Sequence, residues 1–249
     1  MVTAIKIIFL LGFLIFIHEF GHYTIAKLCK VSVNEFSIGF GPKIFSKKKN
    51  ETVYEIRLIP LGGYVALEGE EESSDKEGSF NKASIPRRIA IIAAGATVNI
   101  IFGFILYFII IQVRYINLMS SSFLEGTKYA FYAMGQLIVE LIKEIGYIFT
   151  GHLKLDDMTG PVGISNMISK TNGIVEFLYL LSIISISLGM TNLFPFVPLD
   201  GGKIVLLIIE AIRKKELPEN FVINLNMIGM FILIMLSVAV TFNDVKMIN

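Results

Sequence analysis

Long apolar segments alternate with charged connections along the whole sequence. A helix needs roughly 20 predominantly apolar residues to cross a bilayer, and a window of that length finds about four such segments. They cover residues 1–28, 89–113, 174–213 and 221–242, and the third is long enough to include a broken helix. The pattern predicts a mainly α, polytopic membrane protein in which residues 1–249 form a single transmembrane domain.

Composition agrees with a protein whose main partner is the lipid bilayer. Hydrophobic residues make up 54% of the chain, and there is no Trp. The mean hydropathy is +0.68. The net charge is only +1 and no basic stripe with interleaved aromatic residues occurs, so we expect no nucleic-acid partner. The single cysteine, Cys29, cannot form an internal disulfide or a cysteine-based zinc site.

The distribution of positive charge predicts the orientation in the membrane. The connection 29–88 is rich in Lys and Arg, and Arg213, Lys214 and Lys215 follow the third apolar segment. By the positive-inside rule both stretches belong in the cytoplasm. The N-terminus, the connection 114–173 and the C-terminus then lie on the other side of the membrane.

The connection 29–88 contains the pattern of a β-hairpin. Residues 36–45 and 52–59 are rich in β-branched and aromatic residues, and the polar residues between them form a turn. Residues 61–64 provide a flexible turn after the hairpin, and the acidic residues 68–78 are typical of a solvated linker. The hairpin is either a surface flap or an edge strand that pairs with an extended peptide.

The connection 114–173 includes a segment that hydropathy alone would assign to the membrane. Charged residues interrupt it at five positions: Glu125, Lys128, Glu140, Lys143 and Glu144. Because charges are costly in lipid, an amphipathic helix along the outer membrane surface is favoured. His152, just beyond it, has no neighbour at ligand spacing and is predicted to be a surface residue rather than a metal ligand.

The first apolar segment contains the sequence His-Glu-Phe-Gly-His at residues 18–22. Residues four apart lie on one side of a helix, so His18 and His22 can bind one zinc ion with Glu19 beside its water. A chance match in a packed helix is the alternative. Charged side chains at membrane depth cost about 2.5 to 3.5 kcal/mol each, so they usually mark a functional site.

A catalytic zinc usually has three protein ligands, so a third ligand should come from elsewhere in the chain. Residues 192–202 interrupt the third apolar segment with two prolines and two glycines. Irregular backbone at membrane depth is tolerated only where it is buried in protein or lines a wet cavity. Asp200 is therefore the favoured third ligand. Glu210, the competing carboxylate, lies near the basic cytoplasmic boundary.

Together these motifs resemble the site-2 protease family of intramembrane zinc metalloproteases, peptidase family M50, and especially the bacterial branch that includes the regulator of sigma-E protease. The resemblance continues in chain order at residues 36–41, 59–65, 93–95 with Asn99, and 160–164. It implies that His18, His22 and Asp200 bind Zn²⁺ and that Glu19 activates water. It also implies that Asn192 contacts the substrate or the developing oxyanion.

The same resemblance implies that the hairpin is a membrane re-entrant β-loop that engages the substrate. Gly39, Phe40, Gly41 and Tyr64 are therefore candidate substrate-binding residues. The family also implies a location in the bacterial inner membrane, with the active site accessible from the cytoplasm.

The chain departs from the family pattern at three places. Ala96 replaces the usual proline after Gly95, and Lys203 stands where histidine often follows the glycine pair; both changes look tolerable. Close relatives carry one or two PDZ domains between the second and third spans. Such a domain needs roughly 80 to 100 residues, and residues 114–122 leave no room for it.

The sequence thus predicts a zinc-dependent endopeptidase that cuts in or near the transmembrane segment of single-span membrane proteins, such as an anti-sigma factor or a signal-peptide remnant. Zinc would lower the pKa of its water toward about 7, and Glu19 would transfer the proton to the leaving amine. A membrane zinc-binding or transport protein is the alternative, although the second and fourth segments contain hardly any further ligands. An inactive substrate-binding relative is a third possibility, against which the intact Glu19 argues.

Overall fold

A computed structural model describes residues 2–70, 72–151 and 158–248 of the protein. His152, predicted to be a surface residue, lies outside the described residues. The elements, in chain order, are α1 (Val2–Leu28), β1 (Val33–Lys49), β2 (Thr52–Leu67), a 3₁₀ turn (Phe80–Lys82), α2 (Ile85–Met119), α3 (Phe123–Thr150), α4 (Pro161–Ser169), α5 (Ile174–Asn192), α6 (Asp200–Arg213) and α7 (Glu219–Ile248).

The predicted mainly α, polytopic fold is confirmed. Four of the described helices, α1, α2, α5 and α7, are long and apolar enough to cross a membrane. The third predicted span is divided, because α5 ends at Asn192 and α6 begins at Asp200. Proline has no backbone N–H and clashes with the preceding turn, so Pro195 and Pro198 account for the break.

The described chain forms two compact units. Residues 1–100 and 187–230 make up the first unit, and residues 101–186 and 231–249 make up the second. In the first unit, α1 and α2 approach closely at Gly21, where an added Cβ would lie 2.7 Å from the carbonyl oxygen of Ala94. A buried apolar cluster joins α1, both strands, α2 and α6; it contains Ala26, Val31, Val33, Leu67, Phe80, Ile91, Ile92 and Leu207.

The predicted hairpin is a bent, two-stranded antiparallel sheet formed by β1 and β2. Because both strands bend, residues 36–38 have neighbours on both sides, namely residues 54–56 and residues 63–65. Residues 43–49 pair with residues 52–57 and form one edge, whereas residues 63–67 form the other. Residues 36–38 therefore lie in the interior of the sheet, which has two outer edges.

A polar network holds the sheet together. The carboxylate of Glu55 is fully buried and is paired with Lys43 and with Arg57. Arg57 also donates to Glu35 at 2.8 Å and to the hydroxyl of Tyr64 at 2.7 Å. Since a buried charge is costly without partners, this network fixes how the two bent strands lie against each other.

The acidic linker is exposed at residues 72–73 and 75–77, as expected for a solvated segment, but its first residue is anchored. Glu68 accepts hydrogen bonds from Ser74 at 2.6 Å, Asn34 at 2.9 Å and Lys76 at 3.2 Å. These hydrogen bonds lower the pKa of the Glu68 carboxyl to about 2. These hydrogen bonds thus hold the start of the linker next to the sheet.

In the second unit, α3 packs antiparallel to the last turns of α2. Phe108 meets Phe131 with ring centroids 4.9 Å apart, and Gln112 donates to Thr127 at 2.7 Å. Ser122 and Glu125 form a capping box at the start of α3, and all five charged residues of the helix are exposed. The helix is amphipathic as predicted; its position along the outer membrane surface stays a prediction.

Candidate metal centre

The two histidines of the first span lie on one side of α1 and point to the same place. Their Nε2 atoms are 3.1 Å apart. The other ring nitrogen of His22, Nδ1, donates to the backbone carbonyl of Ile91 at 2.8 Å. In the neutral ring, this hydrogen bond places the proton on Nδ1 and leaves Nε2 available to bind a metal.

Asp200, the first residue of α6, brings its carboxylate to the same place. Its Oδ2 lies 3.2 Å from Nε2 of His18 and 3.4 Å from Nε2 of His22. The two glycines that follow allow α6 to begin directly against the preceding loop. An added Cβ would lie 2.1 Å from the Leu193 carbonyl oxygen at Gly201, and 2.4 Å from the Val197 nitrogen at Gly202.

The three atoms are spaced as zinc requires. Ligands about 2.0 to 2.1 Å from a tetrahedral zinc lie about 3.3 Å from one another, and the three observed distances are 3.1, 3.2 and 3.4 Å. Among the described residues, no donor is aligned to hydrogen-bond the buried Asp200 Oδ2. A buried carboxylate oxygen without a donor is suited to a cation, so His18, His22 and Asp200 fit zinc.

The backbone of α2 covers one side of the cluster. A Cβ added at Gly95 would lie 2.4 Å from Nε2 of His22 and 2.8 Å from Nε2 of His18. Even alanine would therefore collide with the two Nε2 atoms. Glycine at this position is required by space rather than by backbone conformation.

Glu19 lies between the cluster and the sheet. It is half-buried, and its Cγ is 3.4 Å from the position of a Cβ added at Gly63. Gly63 belongs to the edge segment 63–67, so an outer edge of the sheet lies beside the Glu19 side chain. The site therefore combines a candidate metal-binding cluster, a potential general base and a strand edge.

The predicted substrate-binding residues lie at the end of α5 and in the sheet. Asn192 is half-buried at the last turn of α5, before the loop that leads to Asp200. Gly39 and Gly41 have φ values of 88° and 84°, which favour glycine, and the Phe40 side chain between them is 47% exposed. Tyr64 uses its hydroxyl within the sheet, where it donates to Glu35 and accepts from Arg57.

Two charged residues near the site pair with other groups. Glu210, the competing carboxylate, accepts from Arg88 at 3.3 Å and from the backbone nitrogen of Leu217 at 3.1 Å. Lys203, which replaces a common histidine, forms an ion pair with Glu70 of the linker at 3.0 Å. Glu210 thus lies outside the cluster, and Lys203 connects α6 to the linker.

Asn99 is a functional candidate to which sequence reasoning assigned no role. It is fully buried on α2, and its amide nitrogen is 3.4 Å from Nδ1 of His18. When Nε2 of His18 binds a metal, Nδ1 carries the proton and needs an acceptor, so the amide would turn by half a rotation to present its oxygen. A polar amide within an apolar span is the sequence signal that could have identified it.

Comparison with known proteins gives one family and several full-length relatives. The family model described as peptidase family M50 matches residues 6–236. A Fusobacterium nucleatum protein with the name of a zinc metalloprotease is 25% identical, with 99% of this chain and 100% of that protein covered. That alignment extends over 339 positions, so this relative has residues without a counterpart among the 249 of this chain.

Two Bacillus proteins are similar over almost their whole length. The zinc metalloprotease RasP of Bacillus licheniformis is 24% identical, covering 98% of this chain and 99% of the relative. The regulator of sigma-W protease RasP of Bacillus subtilis is also 24% identical, covering 98% of each chain.

Replacing Asn99 should weaken metal binding in a way that depends on the new side chain. We expect Asn99→Leu to lower zinc affinity by about ten- to a hundredfold, because His18 Nδ1 loses its acceptor. Asn99→Asp should retain or increase the affinity, since a carboxylate accepts the same hydrogen bond. Competition of the purified protein with a zinc-binding dye measures both.

Gln112→Leu is the matched control, because it removes another buried amide from α2 whose partner is Thr127. It should leave zinc affinity unchanged. Equal losses in Asn99→Leu and Asn99→Asp would mean that Asn99 only fills space.

Proposed function

This chain belongs to peptidase family M50, and we propose that it hydrolyses a peptide bond in or near the transmembrane segment of single-span membrane proteins, with His18, His22 and Asp200 as zinc ligands and Glu19 as general base. The resemblance inferred from the motifs is thereby confirmed. The protein is a zinc-dependent protease of the site-2 protease family with several membrane-spanning helices. The observation that carries the proposal is the convergence of two imidazoles and one carboxylate beside Glu19.

The proposed mechanism assigns a separate task to each side chain. When bound, zinc supplies Lewis-acid chemistry and lowers the pKa of its water to about 7. Glu19 accepts a proton from the attacking water and delivers it to the leaving amine. Asn192 donates a hydrogen bond to the oxygen of the scissile carbonyl as negative charge develops there.

The edge of the sheet supports binding of an extended substrate. A transmembrane helix satisfies its carbonyl groups internally, so a scissile bond becomes accessible only after local unwinding. Residues 63–67 form an outer edge, and Gly63 lies against Glu19. We infer that the unwound segment adds to this edge as a further strand, which stabilises it next to the general base.

The proposed location is a bacterial inner membrane with the site accessible from the cytoplasm. The positive-inside rule supports this orientation, because exposed Arg87 and the exposed triplet Arg213, Lys214 and Lys215 flank the apolar helices on the side of the first connection. Glu19 lies nine residues before the end of α1, which corresponds to a depth of about 14 Å. That depth is about half of the hydrocarbon core.

The name of one relative supports a proposal for the substrate class. One of them is named for regulation of sigma-W. Anti-sigma factors with a single span are therefore proposed as one class of substrate, and signal-peptide remnants as another. Peptides retained by an inactive variant and identified by mass spectrometry would distinguish the two classes; soluble peptides alone would contradict both.

Replacing the general base should abolish cleavage without removing the metal. We expect Glu19→Gln to lower the cleavage rate of a single-span substrate by about a hundredfold or more, because proton transfer contributes that much. Zinc content should stay the same. Gel-based cleavage and metal analysis of the reconstituted protein measure the two quantities.

Glu216→Gln, at an exposed position after α6, is the control and should cleave normally. A chelator should abolish cleavage by the wild type. Zinc flux across vesicles without any cleavage would instead support the transport alternative.

Substrates that unwind easily should be cut faster. We expect an Asn-Pro pair next to the scissile bond to raise the rate by about ten- to a hundredfold, since proline destabilises a helix by about 3 kcal/mol. The same pair at the far end of the substrate span is the control. Equal rates for both substrates would exclude local unwinding as a requirement.

Single cysteines should report the orientation. In a Cys29→Ala background, Asn172→Cys and Glu216→Cys place thiols at exposed positions in the two connections assigned to opposite sides. A membrane-impermeant maleimide added to intact cells should label only Asn172→Cys, and both should react after permeabilisation. The reverse labelling pattern would overturn the proposed orientation.

A further inference from the structure

Three consecutive lysines form the exposed end of one sheet edge. Lys47, Lys48 and Lys49, here called the lysine turn, pair with Tyr54, Val53 and Thr52 through the backbone. Residues 41–50 are exposed throughout. Within the described part of the chain, none of these three ammonium groups lies in an ion pair, whereas Lys43 of the same strand is paired with Glu55. The lysine turn thus presents unneutralised positive charge.

The lysine turn lies at the level where α1 ends. Thr52 donates to the backbone carbonyl of Val33 at 2.7 Å, and Ser32 lies 3.5 Å from Glu51. Both contacts join the turn to the residues just after α1, which ends at Leu28. The other end of the sheet lies beside Glu19, about 14 Å deeper along the helix axis. The sheet is therefore inclined from the surface toward the interior of the membrane.

The exposed apolar residues of this sheet lie toward the deeper end. Ile44, Phe45 and Leu58 are 64%, 54% and 59% exposed. Apolar side chains of this size gain free energy when they leave water, so contact with acyl chains is favourable. Charged ammonium groups are unfavourable in hydrocarbon, so the three lysines do not lie at the depth of these apolar side chains. The lysine segment therefore fits the headgroup layer, where water and phosphate are available.

We propose that the lysine turn binds the phosphate groups of anionic phospholipids at the cytoplasmic membrane surface and so sets the depth of the sheet. The proposal rests on the orientation given above, with the first connection in the cytoplasm. Clustered lysines next to an apolar surface are the usual combination for anionic membranes. Because the opposite edge adjoins Glu19, the lipids that hold the lysine turn also position the edge that receives the substrate.

The absence of tryptophan from the chain makes a direct test available. Phe45→Trp places a sole tryptophan two residues from the lysine turn, in the full-length protein reconstituted into vesicles. Quenching by lipids brominated at different acyl positions measures its depth in phosphatidylcholine alone and with added phosphatidylglycerol. We expect a deeper position with phosphatidylglycerol, and we expect added salt to reverse the shift.

In the Phe45→Trp protein, replacing Lys47, Lys48 and Lys49 by Gln should abolish the dependence of tryptophan depth on phosphatidylglycerol. The corresponding replacement of Arg213, Lys214 and Lys215 removes the same charge from another exposed segment and should leave it unchanged. Loss of the dependence in both variants, or its absence in Phe45→Trp itself, would overturn the proposal. The fluorescence does not depend on proteolysis, so its failure and a failure of the proposed enzyme activity are distinguishable.

Inorganic phosphate separates a membrane surface from a soluble anion. In phosphatidylcholine vesicles, phosphate at the ionic strength of a chloride control should leave the tryptophan depth unchanged. If phosphate reproduced the effect of phosphatidylglycerol, the lysine turn would be a site for free phosphate and the lipid proposal would be wrong.

Discussion

The candidate metal centre depends on the close approach of backbone segments. The imidazoles of α1 and the carboxylate of α6 can converge only because α2 and the loop before α6 come within contact distance without intervening side chains. Gly95 provides this space beneath the imidazoles, and Gly201 and Gly202 provide it at the start of α6. Buried imidazole and carboxylate groups need partners. The glycines allow the backbones to approach, and this approach gives the buried imidazoles and the carboxylate their partners.

A buried network of charges holds together the sheet beside the candidate metal centre. Glu55 is buried between the strands, and its partners Lys43 and Arg57 come from both of them. Removing one member of such a network leaves an uncompensated charge, which is strongly unfavourable. The edge at residues 63–67 is thus held in place by groups on the opposite side of residues 36–38. A substrate strand would meet an edge that is already ordered.

The parts of this molecule that sequence could predict are those with a local signal. Residues four apart on a helix share a side, so His18 and His22 could be paired without a structure. The prolines and glycines around Asp200 marked the helix break, and run length alone identified the spans. The pairing of residues 36–38 with residues 63–65 depends on how distant segments fold back, and so do the hydrogen bonds of Glu68. A period-two pattern predicts a strand but does not indicate its partners.

An amide within an apolar span could mark Asn99 as a candidate, but its partner could not be assigned from sequence. Asn99 and the Ile91 carbonyl both reach the imidazoles from another helix. Gly95 of α2 also limits access to the candidate metal centre. With the α2 backbone against both Nε2 atoms, a bound cation is shielded on that flank. A ligand can then approach such a cation only from the sides that α2 leaves open, so the helix backbone limits the directions of access before any ligand binds.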